Sequence, residues 1–373
     1  MNWTFRIVLA VLLGVSSASA EQNVNAKDHG ALGDGKTDDT LALQKAVDAV
    51  AGTDGTLLIP AGVYMIDSRQ GLRLKSRMTL KLGNETTLQA IPTVLDHYQI
   101  ISISGIESVH IVGGVIEGDR ENHLGQTGEW GNGIEIRNSK KIVIEHVTVK
   151  NCWGDGFYIS DSSENLTLTN VIADGNRRQG LSITSATGVV VRESIFRNTS
   201  GTSPACGVDL EPNKGQSVAQ CQILKCQFHS NAGGGLQVGP STADIGQAFV
   251  TDFVADGNTF QKNGINEPPN FTVQISNCAR AVVRNNQLVG NRGIGIGIVN
   301  STDTSVTGNT VRGTRFSGNK SDSGILLSTD QGTLCQGNVV TENEGYGIFL
   351  WKSDTEVSEN TVSGNFKGQV RGR

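Results

Sequence analysis

The sequence predicts an all-β fold, a right-handed parallel β-helix (a solenoid) whose N-terminal end is covered by a short capping helix. A four-residue motif recurs in which glycine precedes an apolar residue, a variable residue and a second apolar residue. It returns at intervals of roughly 23 to 37 residues, a period typical of solenoid repeats. Short strands of alternating polarity, separated by Gly and Asn, lie between the copies, as expected for a β-solenoid. The copies begin at Gly133, Gly156, Gly180, Gly207, Gly235, Thr272, Gly295, Gly324 and Gly347.

The motif also predicts which side chains point outward. One turn of such a coil cannot bury its own apolar face, and stacked turns bury it continuously. The two apolar residues of each copy therefore point into the coil, and the variable residue points out. Successive turns pair in parallel about 4.8 Å apart, so the variable residues form one outward column. Its predicted members are Glu135, Tyr158, Ser182, Asp209, Gln237 and Gln274.

The composition supports many tight turns and excludes two classes of partner. The chain has 47 Gly and 7 Pro among 373 residues, nearly twice the usual Gly share of about 7%. Glycine adopts the left-handed backbone conformations that tight turns need. The net charge is -5 without a basic run, so we expect no nucleic-acid partner and no binding to an anionic membrane surface.

Residues 1–20 predict a secretory signal peptide. Arg6 precedes an apolar run, and Ala18-Ser19-Ala20 provides a small-residue cleavage pattern. The run is too short to span a bilayer, and no later segment is apolar enough to do so. We therefore expect one domain, residues 21–373, that is secreted or periplasmic and has no membrane span. The sequence leaves the oligomeric state open.

A capping helix is predicted for residues 40–51. An open solenoid end exposes a bare sheet and a bare core, so it needs a cover. Thr40 is the predicted N-cap residue. The predicted apolar stripe consists of Leu41, Leu43, Ala46, Val47 and Val50.

Six cysteines are predicted to be buried free thiols. Export permits disulfides, but no Cys-x-x-Cys pattern or zinc spacing is present. Unpaired Cys is among the most buried residue types. The residues are Cys152, Cys206, Cys221, Cys226, Cys278 and Cys335.

The N-terminal block resembles the pectate-lyase-like superfamily of right-handed β-helices, and more closely its rhamnogalacturonase-type and mannuronan C5-epimerase-type branch. The resemblance is carried by DHGALGDG (28–35), TDDT (37–40), QKA (44–46), GT (55–56) and IPAGVY (59–64). It implies the β-helix fold and polysaccharide chemistry, and it leaves calcium open as a cofactor. Because this block caps the coil, we interpret Asp34, Asp38 and Asp39 as turn and capping residues.

The catalytic motifs of these enzymes are not carried over. The epimerases have Tyr-Gly-Phe-Asp-Pro-His on a central turn, whereas the nearest stretch here reads GDGFYIS (154–160). The motifs of the polygalacturonases are absent, apart from an Asp-Asp pair in the N-terminal block. The resemblance therefore does not determine the reaction.

Charged and aromatic residues replace the simple polar pattern on three consecutive turns, within 153–158, 176–180 and 207–213. Adjacent turns bring these residues to one face of the coil. Paired carboxylates at such spacings suit glycosidic hydrolysis, in which one protonates the leaving oxygen and the other activates water or attacks. The predicted catalytic residues are Asp155, Asp209, Glu211 and Tyr158.

Substrate-binding residues are predicted around these acids. Arginine binds carboxylate or sulfate through forked hydrogen bonds, although one of the two arginines is expected to bond turn carbonyls instead. Tryptophan offers a platform for sugar rings, and residues 117–132 are expected to wall the groove. Glu135 is interpreted as more solvated than catalytic. The predicted substrate-binding residues are Arg177, Arg178, Trp130, Trp153, Gln179, Asn213 and Glu135, and no protein metal site is predicted.

Three functions remain open from the sequence. The first is a glycoside hydrolase acting on an acidic or decorated polysaccharide. The second is a polysaccharide lyase or C5-epimerase on uronates, in which Arg178 neutralises the carboxylate, Tyr158 is the base and a cation binds Asp209 and Glu211. The third is a non-catalytic polysaccharide-binding scaffold, which predicts that Asp209→Asn and Glu211→Gln change nothing.

Overall fold

A computed structural model describes residues 22–239, 249–264, 271–315, 317–318 and 320–372. The predicted signal peptide, residues 1–20, lies outside these ranges. In the described part of the chain no helix is long and apolar enough to cross a bilayer.

Three parallel sheets form the sides of the coil, and each turn of the chain contributes a strand to each sheet. The first sheet contains Asn23–Asn25, Gly55–Ile59, Met78–Leu82, Glu107–Val112, Lys140–Glu145, Ser163–Thr169, Ala186–Arg192, Val218–Leu224, Val250–Thr251, Val254–Asp256, Cys278–Ala279, Val282–Arg284, Ser305–Thr307, Gln331–Gln336 and Asp354–Ser358. The second contains Asp34–Asp38, Gly62–Ile66, Thr86–Ala90, Val115–Glu117, Thr148–Lys150, Ile172–Asp174, Ile195–Arg197, Gln227–His229, Thr259–Gln261, Gln287–Val289, Thr310–Arg312, Val339–Thr341 and Thr361–Ser363. The third contains Leu72–Arg73, His97–Ser104, Trp130–Arg137, Phe157–Ser160, Leu181–Ile183, Val208–Leu210, Leu236–Val238, Phe271–Ser276, Ile294–Val299, Ser323–Ser328, Tyr346–Trp351 and Gly368–Gly372.

The predicted outward column is confirmed on the third sheet. Backbone pairing aligns its members one strand after another, in the order Glu135, Tyr158, Ser182, Asp209, Gln237 and Gln274. The flanking apolar residues of each motif are buried in the coil. The same register continues through Gly297 and Leu326 to Phe349. The outer face of the third sheet is therefore one continuous surface.

The coil interior is filled by aligned apolar side chains. Phe196, Phe228 and Phe260 stack along the second sheet with ring centroids 5.4 and 4.6 Å apart. All three rings are fully buried. Such stacking places like side chains over one another at the strand spacing, which keeps successive turns in register.

Two asparagine ladders connect the turns at the corners of the coil. In each ladder an Asn side chain accepts a hydrogen bond from the backbone of the preceding turn and donates to a carbonyl. It also donates to the next Asn side chain. The first ladder contains Asn258, Asn286, Asn309, Asn338 and Asn360. The second contains Asn231, Asn263 and Asn291 and, beyond Thr314, Asn343 and Asn365.

The capping helix spans Thr40–Val50 and buries Leu43, Ala46, Val47 and Val50. Two details of its prediction were wrong. Thr40 is the first helical residue rather than the N-cap, and its backbone N–H and hydroxyl donate to Asp38. Leu41 is exposed, because it lies on the solvent side of the helix rather than on the side that packs on the coil.

The aspartates of the N-terminal block stabilise turns, as interpreted from the sequence. Asp39 accepts backbone hydrogen bonds from Leu32 and Gly33 at 2.6 and 3.0 Å. Asp34 accepts from the backbone of Lys36 and Thr37. These bonds satisfy backbone donors at the point where the chain enters the helix.

All six cysteines are free and buried, as predicted. Burial raises the pKa of each thiol above its ordinary value. The neutral thiols therefore act as small apolar side chains within the coil.

Candidate active site

Three neighbouring strands of the third sheet hold the candidate site. Phe157–Ser160, Leu181–Ile183 and Val208–Leu210 pair in register. Asp155 and Arg178 lie in the turns before the first two strands, and Glu211 directly follows the third. The parallel pairing brings all three to the same outer face, which confirms that these predicted residues lie together.

Arg178 lies at the centre of a group of acids. Its Nη2 donates to Glu211 at 2.7 and 3.0 Å, and its Nη1 donates to Asp155 Oδ2 at 3.2 Å. Its Nε lies 3.8 Å from Glu129 Oε2. We call Glu129, Asp155, Asp209 and Glu211 the carboxyl cluster. Three of these carboxyl groups lie against the Arg178 guanidinium, and the charge of Asp209 also acts on it. The mutual repulsion of the four acids favours a proton on one of them.

Asp155 combines burial with an unpartnered oxygen. Its side chain is 2% exposed, and its Oδ1 has no hydrogen-bond partner among the described residues. Burial raises the pKa of Asp155 to about 7. Arg178 and the Ser182 hydroxyl oppose this rise, and the charge of Glu211 adds to it. A carboxyl with such a pKa can hold a proton near neutral pH and give it up during a reaction.

Asp209 faces outward from the coil but is covered, which corrects the prediction of a groove-exposed catalytic acid. It is 0% exposed. Gln179 donates to its Oδ2 at 2.9 Å, and Gln237 donates to both oxygens at 3.2 and 3.3 Å. Burial and the nearby Glu211 raise the pKa of Asp209 well above its ordinary value. Gln179, predicted to bind substrate, is itself fully buried and bonded to Asp209 and the Cys206 N–H.

Glu211 and Glu129 are the solvent-accessible members of the carboxyl cluster. Their side chains are 27% and 33% exposed. Glu129 was not predicted as a site residue, because the sequence places it in a loop of unknown path. Its only sequence signal is its position beside Trp130 in the long segment that was expected to wall the groove.

Arg177 and Trp153, both predicted to bind substrate, contact each other and the neighbouring loop. The guanidinium of Arg177 lies 3.9 Å from the centre of the Trp153 ring. Its Nη1 donates to the carbonyls of Gly128 and Trp153 at 2.7 and 3.3 Å. The His123 ring stacks against Trp153 at 4.0 Å. Arg177 and His123 thus lie on the ring faces of Trp153 that a sugar would pack against. Arg177 is the arginine that bonds turn carbonyls.

A buried triad that the sequence did not reveal fixes the loop of residues 117–132. Asp119 accepts hydrogen bonds from the Tyr98 hydroxyl and from the Thr93 backbone. Its Oδ2 also lies 2.8 Å from Nδ1 of His123, and the side chains of Asp119 and His123 are inaccessible to solvent. The i,i+4 spacing of Asp119 and His123 was the available signal. These bonds hold the loop that carries Glu129 and Trp130.

Tyr158 and Glu135 form a second charged group beside the cluster. The Arg137 guanidinium lies 5.1 Å from the Tyr158 ring centre and donates to Glu135 Oε1 at 2.9 Å. Tyr158 is half-buried. Glu135 is buried, so its interpretation as a solvated residue was wrong, because Arg137 covers it and neutralises its charge.

Trp130 and Asn213, both predicted to bind substrate, differ in how well the structure supports that prediction. Trp130 is 47% exposed and its ring centre lies 6.3 Å from that of His97, so it remains accessible as a sugar platform. Asn213 is exposed and its Nδ2 donates to Gln216 within the same turn. Asn213 makes no contact with Arg178 or the carboxyl cluster among the hydrogen bonds of the described residues, and the structure gives no support for its predicted role.

The carboxyl cluster does not fit a calcium site. Calcium takes six to eight oxygen ligands around a common centre, and here the Arg178 guanidinium occupies the space between the carboxyl groups. Within the described ranges no group of three or more His, Cys, Asp or Glu side chains has a metal-binding arrangement.

Replacing Asp155 with Asn is expected to stabilise the fold increasingly as pH rises. The pKa of Asp155 is about 7 in the fold and about 3.9 in an unfolded chain. This carboxyl therefore contributes its full stability below about pH 4 and loses it as pH rises to about 7. Urea unfolding should show the advantage of Asp155→Asn growing by about 2 to 3 kcal/mol from about pH 5 to pH 8. An advantage independent of pH would contradict the raised pKa.

The fold is that of a right-handed parallel β-helix protein of the pectate-lyase-like superfamily. The chain belongs to the family described as right handed beta helix region, whose model matches residues 101–250 and 220–370. Its curated relatives include the uncharacterized protein YclG of Bacillus subtilis, 29% identical over 52% of this chain and 38% of that protein. They also include mannuronan C5-epimerase AlgE2 of Azotobacter vinelandii, 27% identical over 65% of this chain and 25% of that protein. The chain thus spans well under half the length of these relatives.

Solved structures share the fold at low identity. The A-module of mannuronan C-5 epimerase AlgE4 from Azotobacter vinelandii superposes with a TM-score of 0.73 at 19% identity, covering 94% of this chain and 97% of that one. The surface adhesin PfbA of Streptococcus pneumoniae gives 0.68 at 16% identity, covering 94% and 93%. An exopolygalacturonase from Thermotoga maritima gives 0.60 at 15% identity, covering 91% and 92%. These likenesses confirm the β-helix.

Proposed function

We propose that this protein is an exported carbohydrate-active enzyme that hydrolyses glycosidic bonds of a polysaccharide lying on the outer face of the third sheet. One observation carries the proposal. Asp155, with a pKa of about 7 and one unpartnered oxygen, shares the Arg178 guanidinium with the ion-paired Glu211. A protonated acid beside a carboxylate is the pair that glycoside hydrolysis requires.

In the proposed reaction Asp155 donates its proton to the leaving glycosidic oxygen as the bond to the anomeric carbon breaks. Glu211 either removes a proton from the attacking water or attacks the anomeric carbon itself, and water then releases the sugar. In the second route Asp155 takes a proton from that water. Each route consumes one water molecule. The second route returns both carboxyl groups to their starting state directly, whereas after the first route Glu211 releases its proton to solvent and Asp155 takes one up from solvent.

Substrate reaches Asp155 when Arg178 turns aside, because the guanidinium covers this nearly inaccessible acid. Arg178 holds Glu211 through two bonds, the shorter of 2.7 Å, and holds Asp155 through a single bond of 3.2 Å. We therefore expect Arg178 to remain on Glu211 and to leave Asp155. Trp130 lies on the same loop as Glu129 and offers an accessible ring for a sugar unit.

Charge favours hydrolysis over lyase or epimerase chemistry at this position. Abstraction of a C5 proton from a uronate requires a cation that neutralises the sugar carboxylate. Arg178 is already bonded to two acids, and Arg177 is stacked on Trp153 and bonded to carbonyls. A uronate placed here would also meet the carboxyl cluster. A neutral sugar unit at the point of cleavage avoids this repulsion.

The printed names of the relatives agree with a saccharide polymer as the substrate class. AlgE2 is a mannuronan epimerase and the Thermotoga maritima neighbour is an exopolygalacturonase. PfbA is an adhesin, which corresponds to the scaffold alternative. The predicted signal peptide supports an exported enzyme, in the periplasm or outside the cell, where polysaccharides are found.

A screen of neutral, uronate-containing and sulfated polysaccharides with mass measurement of the products tests the proposal. Hydrolysis adds one water per cleaved bond. Elimination produces an unsaturated uronate that absorbs in the ultraviolet, and epimerisation leaves the mass unchanged. Ultraviolet-absorbing products, or binding without any product, would overturn the proposal.

Activity is expected to fall as pH rises through about 7, because Asp155 must carry the proton that it donates and its pKa is about 7. The log of turnover plotted against pH should have a basic limb near this value. A rate that stays constant from about pH 6 to pH 9 would remove Asp155 from the role of proton donor.

A further inference from the structure

We infer that a second saccharide site lies near the C-terminal end of the third sheet and binds a sugar unit carrying a carboxylate. It is a cavity of about 610 Å³ lined by Lys320, Ser321, Leu326, Ser328, Tyr346, Phe349, Trp351, Lys367 and Arg371. We call this the distal pocket. Among the described residues, its lining contains three cationic side chains, three aromatic rings and no carboxyl group.

The aromatic rings of the distal pocket are held by cations. Tyr346 and Phe349 have ring centres 5.5 Å apart, and Phe349 meets Trp351 edge-on at 6.5 Å. The Arg371 guanidinium lies 5.0 Å from the Tyr346 ring centre and 5.7 Å from that of Phe349. Lys367 Nζ lies 5.8 Å from the Tyr346 ring. Arg371 and Lys367 cover the rings of Tyr346 and Phe349, so the 36% exposed Trp351 is the ring that can pack on the apolar face of a sugar. The Arg371 guanidinium can bind its carboxylate.

A buried apolar floor supports these rings on the outside of the coil. Ile294, Leu326 and Phe349 form a small cluster separate from the coil interior, with Phe271 and Tyr346 packed against it. Phe271 lies across Gly297, since a side chain at Gly297 would collide with the Phe271 ring. The outer face thus changes from polar residues near the carboxyl cluster to apolar and aromatic ones.

The distal pocket and the carboxyl cluster lie on the same outward column. Five strand pairings lead from Asp209 to Phe349, a distance of about 24 Å at the usual strand spacing. An oligosaccharide of several units spans this distance along the face. One polysaccharide chain therefore occupies both sites, an inference that rests on the proposed function.

Charge distinguishes the two sites and defines the ligand. The carboxyl cluster places three acids against Arg178 and a fourth, Asp209, close enough for its charge to act on it, whereas the lining of the distal pocket is cationic. A polymer with a neutral unit at the point of cleavage and a carboxylate-bearing unit several positions away matches both. This is a decorated or mixed polysaccharide rather than a uniform polyuronate.

Calorimetric binding in the absence of turnover tests the distal pocket separately from catalysis. The probes are decasaccharides of galacturonan and of mannuronan, with a neutral maltodecaose as reference. Arg371→Gln and Trp351→Ala are each expected to weaken binding of the better acidic probe about tenfold or more. Arg284→Gln, which removes an exposed arginine paired with Asp256 on the first sheet, is the matched control and should bind like the parent.

The outcomes separate this inference from the proposed function. Selective loss of acidic-probe binding in both folded variants supports the distal pocket, even if no polysaccharide is cleaved. Equal affinity for acidic and neutral probes, or unchanged affinity in Arg371→Gln and Trp351→Ala, overturns it even if hydrolysis is found. Sedimentation of the parent and the two variants gives a further test. If Arg371→Gln and Trp351→Ala change the oligomeric state but not the affinity for sugars, the face binds a second copy of the chain and the inference is overturned.

Discussion

Asp155→Asn is expected to lower polysaccharide turnover by about 10² to 10⁴-fold, the usual contribution of a general acid. Asn cannot supply a proton to the leaving oxygen, but it preserves the size of the side chain and can still accept the 3.2 Å bond from Arg178. The variant is also expected to be more stable than the parent at neutral pH. Initial rates on the best polysaccharide, together with urea unfolding, measure both effects.

Two controls make the loss of turnover specific to acid catalysis. Asp256→Asn makes the same change at an aspartate that pairs with Arg284 on the first sheet, and it should leave turnover unchanged. An aryl glycoside with a good leaving group needs no proton donor, so it should restore much of the rate of Asp155→Asn. An equal loss on both substrates would mean that Asp155 positions other groups rather than donating the proton.

Asn258→Ala is expected to lower the free energy of unfolding by about 3 to 5 kcal/mol. Asn258 Oδ1 accepts from the Cys226 backbone at 2.8 Å, and its Nδ2 donates to the Ile223 carbonyl and to Asn286 Oδ1, both at 2.9 Å. Alanine removes these three bonds. The buried Cys226 N–H loses its acceptor and the Ile223 carbonyl loses a donor, at about 1 to 3 kcal/mol for each buried group, while Asn286 Oδ1 keeps its bond from the Asn258 backbone N–H. Urea unfolding monitored by circular dichroism gives the difference.

Asn213→Ala is the matched control for the ladder. Asn213 is exposed and bonds only its own turn through Gln216, so its removal should change stability by less than about 0.5 kcal/mol. Because each turn of a solenoid contacts only its neighbours, a break at Asn258 should also weaken the turns on either side. A loss below about 1 kcal/mol in Asn258→Ala would show that the ladder is not a main source of stability.

The repeat made two features predictable: the fold, and the outward column of side chains on the third sheet. Alternation along a strand has a period of two, so the residue between two buried ones must point outward. Glycine spacing alone therefore placed Tyr158, Ser182 and Asp209 in one column. The capping helix was predictable from the helical spacing of its apolar residues. Leu41 was the exception, because an apolar residue at the edge of the stripe can lie on the exposed side of the helix.

The turns between strands escaped prediction because their paths depend on side chains that are distant in sequence. Glu129 reaches Arg178 only because Asp119 bonds Tyr98 and His123, which fixes the loop. The surroundings of Trp153 could not be predicted for a similar reason, since Arg177 and His123 lie on its ring faces.

The sequence by itself determined the coil, its register and the outer face on which the acids gather, because hydrophobic burial imposes one in-and-out order on every strand. Only the tertiary structure decided which acid is buried with a raised pKa and which is paired at the surface. Long polar side chains choose their partners by competition for desolvated space. Arg178 bonds Glu211 and Asp155, and Gln179 and Gln237 cover Asp209. The spacing of these residues along the chain does not specify which partners they choose.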